Sequence, residues 1–167
     1  MMSRPFLVRL QEALDGLVLA YRSERNLRWQ VAWGSLALTA GFLLELDRGG
    51  WLWLLTSIFL VLGAEVTNSA VEAAVDLASP DIQPLARYAK HVAAGAVLMA
   101  VAQSLAVAGL VLWPRLLPSL AKWPARVQAH PFSGLLLGLM AVAAFGGALG
   151  LAGRTLRVGG EKRGNMH

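Results

Sequence analysis

The chain has 167 residues, of which 56% are hydrophobic and 15% are charged, and its mean hydropathy is +0.55. A soluble domain carries about 25% charged residues, so this composition excludes an ordinary soluble protein and predicts one compact, all-α integral membrane domain. The absence of cysteine excludes disulfides and thiolate metal sites. We expect the net charge of +5 to reflect membrane orientation and lipid headgroup contact, with no binding of nucleic acid.

The first segment, at about residues 4–24, is predicted to be an amphipathic helix lying on the membrane surface. Apolar residues recur there at steps of three or four, and charged residues occupy the other faces. The apolar positions are Phe6, Leu10, Leu14, Leu17 and Tyr21. Because Glu12, Asp15 and Arg22 interrupt any apolar core, we do not expect a secretory signal peptide. The alternative is an ordinary soluble helix.

Four apolar stretches are predicted to span the membrane, since each is about long enough to cross the hydrocarbon core. They lie at residues 29–46, 51–77, 85–113 and 132–152. The segment Asp47–Gly50 is predicted to form a tight turn. Pro80 and Pro84 are expected to break the chain between the second and third spans, because proline is not accommodated in a helix interior.

A proline-rich external connection is predicted to follow Trp113. Its prolines are Pro114, Pro118, Pro124 and Pro131. The chain is therefore predicted to consist of a membrane domain at residues 1–113 and a C-terminal part at residues 114–167. The C-terminal part would contain this connection, the fourth span and a basic tail.

The distribution of lysine and arginine predicts the orientation in the membrane. Basic residues concentrate in the N-terminal region, around the second loop and in the tail: Arg4, Arg9, Arg22, Arg25, Arg28, Arg87, Lys90, Arg154, Arg157, Lys162 and Arg163. An even number of spans places these three regions, and both termini, on the same side, which is predicted to be cytoplasmic. The proline-rich connection, with Arg115, Lys122 and Arg126, would then lie outside.

The second predicted span carries four polar side chains, Glu65, Asn68, Glu72 and Asp76. At 100° per residue they fall within about 80° of one another, on one helix face. A carboxylate at membrane depth costs about 2.5–3.5 kcal/mol on insertion scales, so this stripe predicts a site for a metal ion or a proton. For Glu65 and Glu72 the alternative is a structural pair bonded between subunits.

The depth of the stripe follows from the helical rise. The apolar stretch Trp51–Ala64 is about 21 Å long, against a hydrocarbon core of about 30 Å. Glu65 is therefore expected inside the inner leaflet, and Glu72 near the cytoplasmic interface. A lipid headgroup could meet a water-soluble reactant there. The chain contains no Gly-x4-Gly-Lys-Ser/Thr sequence and no Gly-x-Gly-x-x-Gly that opens a helix.

Three motifs in this order resemble the prokaryotic diacylglycerol kinase family, which includes undecaprenol kinases. They are Glu24-Arg25-Asn26-Leu27-Arg28, then Glu65-x-x-Asn68-x-x-x-Glu72-x-x-x-Asp76, then Leu85-Ala86-x-x-Ala89-Lys90 with Ala93–Val97. The resemblance covers about Phe6–Trp113, and the first motif is closer to the undecaprenol kinase branch. It implies a homotrimeric bacterial inner-membrane enzyme with a surface helix and three spans per subunit. Such an enzyme transfers the γ-phosphate of ATP to the hydroxyl of diacylglycerol or undecaprenol.

The resemblance also implies roles for individual residues. Glu65 matches the general base that accepts the proton of the lipid hydroxyl. Glu24 and Glu72 match the carboxylates that hold Mg²⁺ on the ATP phosphates. The other matched polar positions line the nucleotide site: Asn68, Asp76 and Lys90.

The sequence departs from the family pattern at several positions around the expected nucleotide site. His91 follows the lysine, where the family usually has aspartate, and Glu12 stands near the position of a family tyrosine. The loop Asp81-Ile82-Gln83 and the fourth span also differ from the family. These differences predict altered nucleotide contacts, and an inactive paralogue is one alternative.

The same residues are also compatible with other functions. A proton-coupled carrier could use Glu65 without a nucleotide, and a scaffold could associate through the glycine-rich last span. Glu24 could form an ion pair with Arg28, and His91 could be an ordinary interface residue. The remaining polar positions have structural alternatives as helix contacts or interfacial anchors: Asn68, Asp76 and Lys90.

Overall fold

The computed structural model describes residues 5–79 and 83–129, with the backbone alone at 117 and 119–129, and eight later positions. Those eight are Phe132, Leu135, Gly138, Leu139, Val142, Ala143, Phe145 and Gly146. The described part folds into four helices, α1 (Phe6–Ser23), α2 (Arg25–Leu43), α3 (Arg48–Ala78) and α4 (Pro84–Ala129). The predicted all-α class is confirmed for this part of the chain.

Helices α3 and α4 form an antiparallel pair, and α2 packs mainly on α3. Three polar contacts set the register of the pair. Asp76 meets Lys90 at one end, Gln103 donates to Ser57 in the middle at 3.1 Å, and Arg115 meets Asp47 at the other end at 2.8 Å. Side-chain hydrogen bonds between apolar helices contribute about 0.6 kcal/mol each on average, so they select a register more than they stabilise the fold.

Glycines allow α2 to approach α3 closely. A Cβ atom added at Gly41 would lie 2.9 Å from Leu54 Cδ2, and one at Gly34 would lie 3.2 Å from Ile58 Cγ2. The buried apolar core is small: Leu27, Ala32, Leu46, Leu54, Val61 and Ala100. Many larger apolar side chains are exposed, among them Phe59 on α3 and Leu98 on α4. The outer faces of the bundle are therefore apolar surfaces suited to lipid or to neighbouring subunits.

Two of the described helices are long and apolar enough to cross a membrane, α3 and the Pro84–Leu116 part of α4. Helix α2 does not qualify, because Arg25 and Arg28 stand in its first turns and it ends at Leu43. The structure thus does not confirm a span at 29–46. The predicted fourth span at 132–152 lies mostly outside the described residues, as does the tail.

The N-terminal helix α1 fits the predicted surface helix in extent and exposure. It has no buried residue, and apolar side chains such as Phe6, Leu10 and Leu14 are exposed. Its contacts with the rest of the described chain are with α2 and α3. An apolar stripe without protein cover is what a helix lying in a membrane interface presents.

The turn between α2 and α3 lies earlier than predicted. The expected turn at Asp47–Gly50 is wrong, because the turn residues are Leu44 and Glu45 and α3 already begins at Arg48. Asp47 is the N-cap, and its Oδ1 accepts a hydrogen bond from the Gly50 backbone N–H at 3.1 Å. Glu45 has a positive φ of 51°, which the reversal of the chain requires. Asp47 thus starts a helix where a loop was expected.

The proline-rich connection predicted after Trp113 is wrong as far as Ala129, because α4 continues through Pro114, Pro118 and Pro124. A proline removes one helix hydrogen bond, yet it is tolerated where another donor meets the freed backbone carbonyls. The carbonyl that Pro114 leaves without its helix donor is that of Leu110. Arg115 Nη1 donates at 2.8 Å to the next carbonyl, that of Val111. The predicted break before Pro84 is confirmed in position, since α3 ends at Ala78 and α4 begins at Pro84.

Substituting Asp47 should destabilise the α2–α3 turn. Asp47→Ala removes both the helix cap and the partner of Arg115, and we expect a loss of about 1 kcal/mol in the free energy of unfolding. Asp47→Asn keeps a capping oxygen and loses only a largely exposed ion pair, so its expected loss is about 0.3 kcal/mol. Unfolding by SDS titration measures both. Equal losses in the two variants would assign the effect to the ion pair instead of the cap.

Candidate functional site

Glu65 is a buried carboxylate in the middle of α3, with 3% of its surface exposed. Its Oε2 accepts a hydrogen bond from Gln30 Nε2 of α2 at 2.9 Å. The fold therefore holds a carboxyl group inside an apolar bundle and supplies it with one defined hydrogen-bond donor, as burial of a polar group requires. Gln30 was missed in the sequence, although a glutamine inside an apolar stretch is itself a signal of a polar contact between helices.

Asn68 and Glu72 form a second unit on the same helix. Asn68 Nδ2 donates to Glu72 Oε1 at 2.8 Å, across one helical turn. Both residues are half-buried. The Asn68 Oδ1 atom is buried and has no hydrogen-bond partner among the described residues. The pair therefore offers a carboxylate and an unpaired amide oxygen on one side of α3, and both are ligand types that a hard cation accepts.

Asp76 and Lys90 join the ends of α3 and α4 through an ion pair. The Asp76 side chain is 65% exposed and that of Lys90 is 33% exposed. An ion pair this open to solvent adds little stability. The two side chains thus remain available to a charged ligand arriving from water.

Glu24 lies at the junction between α1 and α2, as the C-cap of one helix and the N-cap of the next. The ion pair with Arg28 that the sequence left open does not form. Arg28 is buried, and its Nη1 donates instead to the backbone carbonyls of Tyr21, at 3.4 Å, and Arg22, at 2.9 Å. These bonds satisfy carbonyls at the end of α1 and fix the angle at which the chain passes Glu24.

The stripe predicted on one face of α3 is divided among three partners. Glu65 pairs with α2, Asp76 pairs with α4, and Asn68 and Glu72 pair with each other. In residues 5–79 and 83–129 no group of three histidine, aspartate or glutamate side chains converges as a metal site. Mg²⁺ usually uses only one or two carboxylates and completes its shell with phosphate oxygens and water. Glu72 and the unpaired Asn68 oxygen fit that partial donor set.

His91 lines a surface cavity of about 360 Å³ at the start of α4, together with Pro84, Arg87 and Tyr88. His91 and Arg87 stand one helical turn apart, and Lys90 is adjacent in sequence. Histidine stands at position 91 in place of the aspartate that the sequence resemblance implies. The surface around Lys90 is therefore better suited to binding an anion than it would be with an acidic side chain at position 91.

Two apolar grooves run along opposite sides of α3. One, of about 580 Å³, lies among α2, α3 and α4 and has Gln30 in its wall. The other, of about 720 Å³, lies between α3 and α4 and has Asn68 in its wall. Leu54, Ile58 and Val61 line the first groove, and Glu65 follows them on the same helix face. The first groove therefore leads toward the buried carboxylate.

Comparisons with known proteins show to which family the chain is similar. A family model described as prokaryotic diacylglycerol kinase matches residues 11–112, more than half of the chain. An undecaprenol kinase of Bacillus subtilis is 37% identical over 99 residues, which cover 57% of this chain and 77% of that protein.

Two further relatives are named diacylglycerol kinase. That of Synechocystis is 37% identical over 112 residues, covering 66% of this chain and 64% of that protein. That of Pseudomonas aeruginosa is 33% identical over 88 residues, covering 53% of this chain and 72% of that protein. No solved structure matches the chain.

Proposed function

We propose that this chain, which belongs to the prokaryotic diacylglycerol kinase family and is a lipid kinase, transfers the γ-phosphate of ATP to the hydroxyl of diacylglycerol or undecaprenol. The observation that carries the proposal is Glu65, a buried carboxylate that accepts a hydrogen bond from Gln30, which in turn lines an apolar groove. A carboxylate in this position is accessible to the hydroxyl of a lipid. A soluble reactant, which carries its hydration shell, would be excluded from it. The family match favours this reaction over the proton-coupled carrier.

In the proposed reaction Glu65 is the general base. The lipid hydroxyl oxygen attacks the γ-phosphorus, the bond from that phosphorus to the bridging oxygen breaks, and ADP leaves. The hydroxyl proton passes to Glu65. Because Gln30 occupies Oε2, we expect Oε1 to accept the proton. General-base catalysis of this kind contributes about 10²–10⁴-fold to a rate.

Glu24 and Glu72 are proposed to bind the Mg·ATP complex at the cytoplasmic end of α3. Mg²⁺ bound there would neutralise the charge of the phosphates. Charge neutralisation, together with positioning of the reactants, is the main contribution of a protein to phosphoryl transfer. Asn68 would hold Glu72 in place through its amide and offer its unpaired oxygen to the complex. Asp76 and Lys90 would line the nucleotide site, with Lys90 exchanging Asp76 for a phosphate oxygen.

The proposed assembly is a homotrimer in the bacterial inner membrane with both termini in the cytoplasm. The exposed apolar faces of α3 and α4 support association or lipid contact, and the basic residues Arg22, Arg25, Arg87 and Lys90 support the orientation. Cross-linking in native membranes tests the trimer, and labelling of cysteines introduced near either terminus tests the topology.

Removing the partner of Glu65 should slow the chemical step selectively. For Gln30→Leu we expect kcat to fall about tenfold, because the buried carboxylate loses its one defined donor, while KM for ATP stays within about twofold. The matched control is Gln103→Leu. It removes a glutamine of α4 that donates a hydrogen bond to Ser57 of α3, away from Glu65. Steady-state kinetics with a lipid alcohol and Mg·ATP measures both. A similar fall in kcat in both variants would assign the effect to general loosening of the helices.

The acceptor is identified by offering diacylglycerol and undecaprenol separately, in mixed micelles, with γ-labelled ATP. A labelled lipid product with one acceptor names the substrate. Label on both indicates a permissive site. Folded protein that labels neither lipid contradicts the proposed function.

A further inference from the structure

Phe145, which lies C-terminal to the family-matched residues, contacts the α2 side of the groove that leads to Glu65. The family match ends at residue 112, and Phe145 lies well beyond it. The Phe145 ring packs edge-on against two tryptophans of α2, with centroids 6.0 Å from Trp29 and 5.4 Å from Trp33. Edge-to-face pairs at this separation are favourable and orient both rings.

Trp33 belongs to the wall of that groove, together with Gln30. Along α2 the groove extends from Gln30 to Ala40, which corresponds to about 15 Å of helix. That is about the thickness of one hydrocarbon leaflet. Its lining is almost wholly apolar, and the polar Gln30 side chain, with an unpaired buried Oε1, lies toward the Glu65 end. A lipid with a hydroxyl at one end and a hydrocarbon tail matches this distribution of polarity.

We propose that the groove among α2, α3 and α4 holds one hydrocarbon tail of the acceptor lipid, and that Phe145, by fixing the Trp33 ring, sets how bulky that lipid can be beside its hydroxyl. The proposal rests on the proposed function. Phe145 is a positioning residue, since it acts through Trp33. The extension would thus give this chain an acceptor preference that its family-matched part alone does not determine.

The first test is the ratio of kcat/KM for a one-tailed polyprenol to that for a two-tailed diacylglycerol, measured with the full chain. For Phe145→Ala we expect this ratio to fall about fivefold, in favour of the two-tailed diacylglycerol. The reason is that the freed Trp33 ring no longer limits the space beside the lipid hydroxyl. The KM for Mg·ATP should be unchanged. Phe145→Tyr keeps the ring and should keep the ratio. The matched control is Phe132→Ala, which removes the same side chain where it is 84% exposed.

An unchanged ratio in Phe145→Ala would overturn the proposal. So would the same shift in Phe132→Ala, or a parallel rise in KM for Mg·ATP, because each would indicate a general disturbance of the extension.

A second test separates the tail site from catalysis. A diacylglycerol with a diazirine in its acyl chain is photocross-linked to the full chain in micelles, and the labelled residues are found by mass spectrometry. We expect label on residues around Trp33. Label around Tyr88, in the groove on the other side of α3, would overturn the tail site. The absence of label in both grooves would also overturn it, since a second copy of the chain could then cover the proposed site. Label at Trp33 in a protein without kinase activity would preserve the tail site and refute the function.

Discussion

Glu65→Gln should lower kcat for lipid phosphorylation by about 10³-fold while leaving the affinity for Mg·ATP within about twofold. Glutamine has almost the same shape as glutamate and can still accept the hydrogen bond from Gln30. It cannot accept a proton from the lipid hydroxyl at neutral pH. The substitution therefore removes the base and spares the packing around it.

The matched control for this variant is Glu45→Gln, which makes the same chemical change in the turn at the opposite end of the α2–α3 pair. We expect it to leave kcat and KM close to those of the original protein. A Glu65→Gln variant that keeps more than about a tenth of the original kcat would show that another group takes the proton.

Glu72→Gln should weaken the binding of Mg·ATP by about 10- to 100-fold and lower kcat as well. The Asn68 amide can still donate to the glutamine oxygen, so the pair seen on α3 should persist without its charge. What is lost is an anionic ligand for the cation that accompanies the nucleotide. The affinity is measured by equilibrium binding of a non-hydrolysable ATP analogue at several Mg²⁺ concentrations.

If Glu72 binds the metal, the deficit should shrink as the Mg²⁺ concentration rises, because mass action compensates for a weakened ligand. The same equilibrium titration on Glu65→Gln should show no such dependence. Equal loss of nucleotide binding in the two variants would contradict the division of roles between the deeper and the shallower carboxylate.

The sequence predicted the position of the key carboxylate because membrane depth and helical spacing are local properties. Glu65 and Glu72 lie two turns apart on one helix, and the cost of placing charge in hydrocarbon marks them as unusual wherever the helix packs. The partner of Glu65 depends on how α2 packs against α3, through close approaches at Gly34 and Gly41. Spacing along a single helix carries no such information, so Gln30 was found only in the structure.

The prolines show where a local rule failed. Proline in a helix interior predicts a break, and Pro84 indeed begins a helix. At Pro114 and Pro118 the same rule predicted a loop, yet α4 continues. Long apolar helices in a bilayer have no water to satisfy an irregular backbone, so keeping the helix with a few missing bonds is favoured over unwinding it.

The most direct test of Glu65 as the base is a single-turnover experiment with γ-labelled ATP already bound. Original protein and Glu65→Gln are each saturated with Mg·ATP, bound nucleotide is measured, and lipid alcohol is then added. The predicted result is equal nucleotide occupancy, with rapid transfer of label to lipid in the original protein and transfer about 10³-fold slower in the variant. Equal transfer rates at equal occupancy would contradict the assignment of Glu65 as the base.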